Sequence, residues 1–273
     1  LEEETMKRKA YVAGYFYPSG KKELEAMVSG FINTGEEKKD GVAVVSPHAG
    51  LIYSGRVAGS VFSSVNLPDT VVLLGPSHGY MADKAAIMTQ GAWETPLGDV
   101  PVQETLAADI VENASWIKED PDAHAREHSL EVQLPFLKHL HSRIQIVPIL
   151  ISYHVDYSDL KDLGEALAAG VKHFGQKVLI TASTDMSHQV TQDTAREKDF
   201  KAIDEILDMQ PKALYDIVRD SNISMCGFQP TAAALVAAKN LGAEQAELIQ
   251  YQTSGDVTGD YSEVVGYAGI RIT

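Results

Sequence analysis

The chain predicts an α/β fold, a single domain with a mostly parallel central sheet covered by helices. Three observations predict it. Short β-branched runs recur along the 273 residues, helical stretches separate them, and the runs are apolar throughout instead of alternating with polar residues. Strand and helix in alternation argue for crossover connections and parallel pairing. Strands without a polar face argue for a sheet buried on both sides.

Residues 41–46 (GVAVVS) read as the first buried strand, with a helix over about 55–64. Residues 70–75 (TVVLLG) form the next, bounded by Pro68 and Pro76. The segment 88–101 is turn-rich and reads as an excursion over one edge. An amphipathic helix runs from about Ser129, carrying His139 and His141 toward its carbonyl end, where imidazolium charge suits the dipole. Residues 144–151 and 177–182 are further strands, separated by a helix over 157–174. An alanine-rich helix starts near Pro230, proline fitting the first turn. Finally, 246–252 and 264–272 read as paired strands. One domain is expected over 1–273, with Met6 as a native start and 1–5 as a frayed extension.

A chain of this length buries enough surface to fold without staples. The formal net charge of −15 opposes nucleic-acid phosphates and anionic membrane surfaces, so neither is an expected partner. The apolar runs are too short to span a bilayer. Cys226 is the single cysteine, so no internal disulfide can form, and a cytoplasmic location is expected.

The strand ends carry the chemistry. The first runs into Pro47-His48-Ala49-Gly50, the second into Pro76-Ser77-His78-Gly79, and 177–182 into Ser183-Thr184-Asp185-Met186-Ser187-His188. In an open parallel sheet, ligands bind beyond the carboxyl ends of the strands, so three histidines distant in sequence are expected on one rim. Neutral imidazole is a common ligand for iron, zinc and copper, and a general acid or base near neutrality. Cys226 precedes the helix at Pro230, where a helix N-terminus favours thiolate, a metal ligand or nucleophile. Two histidines and a thiolate make a three-ligand site with open positions.

Other patterns are weaker. His124-Ala125-Arg126-Glu127-His128 matches H-x-x-E-H, which needs both histidines on one helical face. Ser187, His188 and Asp185 could be drawn as a hydrolase triad, but sequence neighbours rarely have that geometry. Tyr15, Tyr17, Tyr53 and Trp93 read as core or rim packing. Any that line a pocket would suit a planar or phenolic ligand. His154 and His173 read as surface residues.

Taken in order, the fragments 13–18 (AGYFYP), 46–50 (SPHAG), Tyr53-Ser54-Gly55, 74–78 (LGPSH), 93–98 (WETPLG), 127–136 (EHSLEVQLPF), 183–188 (STDMSH), Cys226-Gly227 and 251–268 resemble the Memo family. That family is also called AmmeMemoRadiSam system protein B in bacteria and archaea, and its fold is similar to the LigB-like class III extradiol dioxygenases. The resemblance implies that His48, His78 and Cys226 hold a metal, iron foremost with copper or zinc as alternatives. It implies His188 as the catalytic acid/base, with Asp185 orienting it or helping to fill the metal site. Tyr53, Ser77, Trp93, Glu127 and His128 are implied as pocket residues. Thiolate in place of the dioxygenases' carboxylate makes the site softer, so ring cleavage does not follow from the fold. The expected activity is that of a metal-dependent redox protein acting on a small molecule, with radical SAM system proteins as partners. The alternative is a non-catalytic module for peptides or small anions, since a Memo relative is described as binding phosphorylated peptides. A thiol enzyme pairing Cys226 with His188 is a third reading.

Overall fold

The computed structural model describes residues 6–33, 35, 37–79, 81, 83–114 and 116–273; the expected extension 1–5 lies outside them. In chain order the first half contains β1 (Lys7–Arg8), α1 (Lys21–Phe31), β2 (Ala43–Ser46), α2 (Leu51–Ser63), β3 (Thr70–Pro76), β4 (Ala85–Ile87), β5 (Ala92–Trp93), β6 (Val100–Pro101), α3 (Glu104–Asn113), β7 (Ile117–Glu119), α4 (Pro121–His124) and α5 (Leu134–Leu140). The second half contains β8 (Gln145–Ile151), α6 (Tyr157–Phe174), β9 (Val178–Ser183), β10 (His188–Val190), α7 (Gln192–Leu207), α8 (Pro211–Asp220), α9 (Phe228–Asn240), β11 (Ala246–Thr253), α10 (Gly255–Thr258) and β12 (Val264–Ile272).

The main sheet runs β10-β12-β2-β9-β3-β8-β4-β7, with β11 also paired to β12. Its centre, β2-β9-β3-β8, is parallel. The margins turn antiparallel where β12 meets β2 and where β4 meets β8. Strands β2, β3 and β9 are buried along their whole length, as apolar runs without alternation require. Helix α9 packs on β2, β3 and β9 and against α6, while α2 packs on β2, β11 and β12.

Two helices begin elsewhere than the periodicity predicts. Helix α2 starts at Leu51, directly after the His48 loop, because the Gly50 carbonyl accepts the N–H of Ser54 and the Ser54 hydroxyl donates to Ala49 O at 2.9 Å. The helix expected from Ser129 opens as a 3₁₀ turn over Glu131–Gln133 and becomes α-helical only at Leu134, with Pro135 in its first turn. The turn-rich segment 88–101 carries β5 and β6, which join β1 in a separate three-stranded sheet.

That small sheet delivers Arg8 into the interior. Its guanidinium pairs with buried Glu131, donates to the carbonyls of His124 (3.0 Å) and Glu127 (2.6 Å), and lies 4.4 Å over the Trp93 ring. Glu131 in turn accepts the N–H of Tyr11 and Val12 and the Tyr17 hydroxyl at 2.5 Å. Trp93 is therefore a fully buried core residue, not the pocket residue expected, with the Arg8 cation over its ring and a buried imidazole packed against it. That imidazole is His124. It closes the four-residue helix α4, fully buried against Trp93, so it shares no helical face with His128 and the H-x-x-E-H pattern is not assembled.

Two outcomes test this knot. Glu131→Gln leaves Arg8 buried without its counter-charge and should cost about 3–5 kcal/mol of unfolding free energy in a urea titration. Burial, and secondarily Arg8, lower the His124 pKa from 6.5 to about 4. The folded state therefore binds fewer protons than the unfolded chain as pH falls below 6.5. Stability should drop toward pH 4 with a His124 share of about 1.4 kcal/mol per pH unit. His124→Leu should show a correspondingly shallower pH slope across that window.

Candidate metal centre

Strand order makes the site. Because β2, β9 and β3 are adjacent and parallel, their carboxyl ends bring the His48, Ser183–His188 and His78 loops side by side. Cys226 is supplied by the residues that lead into α9. A Cβ on Gly227 would lie 2.3 Å from the Ser183 carbonyl, so only glycine lets α9 begin against the end of β9. Ligand atoms of His48, His78 and Cys226 all lie within 4.8 Å of one another, and His48 Nε2 is 3.4 Å from Cys226 Sγ.

The hydrogen bonds decide which nitrogen each ring offers. Ser183 Oγ donates its one proton to the Ser129 carbonyl (2.6 Å) and accepts Gln133 Nε2 (2.8 Å). At 2.8 Å from His48 Nδ1 it can only accept, so Nδ1 carries the proton and Nε2 keeps its lone pair. His78 Nδ1 donates to Glu127 Oε1 at 2.9 Å, and His188 Nδ1 donates to the Ser224 carbonyl at 2.9 Å. The backbone N–H of each residue is held as well: His48 by Asp185 Oδ1 (2.8 Å), His78 by Glu127 Oε2 (2.6 Å), His188 by Ser224 Oγ (2.8 Å).

The charges follow from these contacts. Burial holds His48 well below its ordinary pKa, helped by His78 and His128. Burial works the same way on His78, but the Glu127 hydrogen bond and charge outweigh it and raise the pKa. Burial would raise Glu127, yet the bonds from His78 and Ser129 bring it to about 2. Cys226 departs from expectation. Burial and then Asp185 push its pKa up, outweighing the Asp185 N–H that the sulfur accepts at 3.2 Å. The helix N-terminus does not make it a thiolate, and its imidazole neighbour is His48.

The cavity over these groups has a volume of about 710 Å³ and is lined by His48, His78, His128, Asp185 and His188 together with Tyr53 and Phe16. His128 stacks on His78 at 4.5 Å and meets the edge of Phe16 at 4.8 Å. His78, Glu127 and His128 form a second group with metal-ligand spacing, but Glu127 already accepts the His78 N–H, its Nδ1–H and the Ser129 N–H.

Several residues differ from their expected places. Glu127 lies behind His78 instead of lining the cavity. Ser77 is off the cavity because its hydroxyl turns back to the Gly79 carbonyl at 3.1 Å. Asp185 supports the His48 loop, and it is Ser224 that orients His188, so neither the expected Asp185–His188 contact nor a hydrolase triad forms. His139, His141, His154 and His173 all lie off the cavity lining. Ser183, Gln133, Ser224 and Tyr267 were not anticipated. The first three lie beside or within the motifs, where hydroxyls and amides next to rim histidines were the available signal. Tyr267 lies inside the fragment 251–268 that carries the resemblance, but nothing in the local pattern marked it as facing the cavity.

Comparison with known proteins gives a consistent relationship. A family model described as Memo-like protein matches residues 8–271. A MEMO1 family protein of Methanopyrus kandleri is 41% identical over 279 aligned residues, covering 97% of this chain and 98% of that protein. One from Methanococcus maripaludis is 39% identical, covering 98% and 100%. An uncharacterized protein of Escherichia coli K12 of known structure superposes with a TM-score of 0.61 at 15% identity, covering 85% of this chain and 99% of that one, which is a likeness of fold alone.

Glu127→Gln tests the hold on His78. With the carboxylate charge gone, only Asp185 and the weaker amide hydrogen bond still oppose burial, so the His78 titration midpoint in metal-free protein should fall. Nitrogen-15 NMR of the histidine rings reads this shift.

Proposed function

The chain belongs to the Memo family, and from that premise we propose that its cavity is a redox-metal centre held by His48, His78 and Cys226, with iron the expected metal. The observation that carries this reading is the tautomer set. Each rim histidine spends Nδ1–H on a fixed acceptor, which leaves Nε2 as the nitrogen for a ligand. Metal-binding histidines are ordinarily oriented in this way, by a second partner on the other ring nitrogen. The residues fit the group: two imidazoles and a sulfur lie within 4.8 Å of one another, and the imidazoles line a cavity with room for a further ligand.

Iron or copper in such a set supplies one-electron chemistry and open positions for a small ligand. The chain's own residues do the rest. A metal held by Cys226 would take the place of the thiol proton, which burial and the Asp185 carboxylate otherwise keep on the sulfur. Asp185 and Glu127 hold the His48 and His78 loops by their backbone N–H groups, so the ligand atoms are placed before anything binds. His188, on the cavity wall with Nδ1–H bound to a carbonyl, presents Nε2 to accept or return a proton on the bound ligand.

Elemental analysis of anaerobically purified protein should find close to one equivalent of iron or copper. His48→Ala and Cys226→Ser should lose it, while His188→Gln should keep it. Unchanged metal in the first two variants would overturn the ligand set, and zinc alone would remove the redox assignment.

A further inference from the structure

Tyr267 is 1% exposed on β12, yet it lines the cavity. A buried tyrosine hydroxyl ordinarily finds a partner. Among the described residues none hydrogen-bonds this one, although the buried Tyr17 and the partly buried Tyr251 donate to Glu131 and Asp199. The Tyr267 ring is placed firmly: β12 pairs Tyr267 with Gln252, whose amide donates to the Tyr53 carbonyl at 2.7 Å, and the adjacent Gly266 exchanges backbone bonds with Met186 and Ser187. The phenol therefore shares the cavity wall with Asp185 and Tyr53, and among the described residues its hydroxyl has no protein partner to compete with a bound molecule.

The mouth of the same cavity is acidic. Asp185, Asp260 and Glu263 line it, and among the described residues no lysine or arginine does. Asp260 is fixed at the rim by the Ser262 N–H (2.9 Å) and hydroxyl (2.6 Å). A divalent ion bound by thiolate beside Asp185 is neutralised locally, so the acidic rim still sets the potential at the mouth. The walls are aromatic, with Phe16, Tyr53 and, at 88% exposure, Tyr15. Aromatic faces attract cations and pack against planar rings, and they offer nothing to an anion.

We propose that Tyr267 anchors the ligand of this cavity, and that the cavity takes small aromatic molecules bearing a neutral or cationic hydroxyl or amine while rejecting carboxylates and phosphates. This deepens the metal-centre reading and rests on it for where a ligand would react. The Tyr267 hydroxyl serves a ligand as donor or acceptor, the rim acids select its charge, and Tyr53 and Phe16 receive its ring.

The test uses four probes of similar size: phenethylamine, 2-phenylethanol, phenylacetate and phenyl phosphate, titrated calorimetrically into metal-loaded and metal-free protein. Phenethylamine is expected to bind at least about tenfold more tightly than either anion in both forms. Tyr267→Phe is expected to weaken phenethylamine and 2-phenylethanol about fivefold, with metal content and unfolding temperature unchanged. An anion that binds as tightly as the amine, a Tyr267→Phe variant that binds like the parent, or no binding by any probe would overturn the proposal. Wild-type protein that shows this charge order without holding metal supports the subsite and removes only the metal centre.

Discussion

A histidine fixed at both its backbone N–H and Nδ1 has one nitrogen left to give. Three histidines here are fixed in that way, each by groups from another loop: His48 by Asp185 and Ser183, His78 by Glu127, His188 by Ser224. Loops at strand ends leave backbone N–H groups that must find acceptors once buried. Side-chain oxygens from neighbouring loops meet that need, and in doing so they set the tautomers. The anchoring of the loops and the presentation of Nε2 are one network.

The segment 124–131 connects this network to the rest of the molecule. Its two buried glutamates, four residues apart, serve different partners. Glu127 holds His78, while Glu131 holds Arg8, Tyr11, Val12 and Tyr17. Arg8 closes the loop by donating to the carbonyls of His124 and Glu127. The N-terminal arm is thus a structural element of the site although its charged residues do not line the cavity. A buried ion pair contributes little net stability against an apolar substitute, but it specifies one geometry for the segment that carries Glu127 and His128.

How much of this was legible depends on the range of the interaction. His48, His78 and His188 stood out because each follows an apolar run across Pro, Gly or a short polar loop, and the parallel-sheet rule places such residues on one rim. Cys226 stood out as the single thiol ahead of a helix, and Glu127 and His128 entered as pocket residues through the resemblance to the Memo family. Trp93 misled for a physical reason: an aromatic side chain in a turn-rich segment looks the same in sequence whether it faces a cavity or lies beneath a buried arginine. The thiol of Cys226 misled similarly, since proximity to a helix N-terminus is visible in sequence, whereas the burial and the Asp185 carboxylate that outweigh it are not.

The sequence by itself determined the α/β class, the strands of the parallel core, and the residue types gathered at their ends, because periodicity and turn chemistry are local properties. Only the tertiary structure decided that β9 lies between β2 and β3, which makes neighbours of histidines far apart in the chain. It also decided that Ser183, having given its proton to Ser129, must accept from His48, and that the Tyr267 hydroxyl meets the cavity with no partner among the described residues. Strand order and proton direction depend on contacts between distant segments, and no local pattern encodes them.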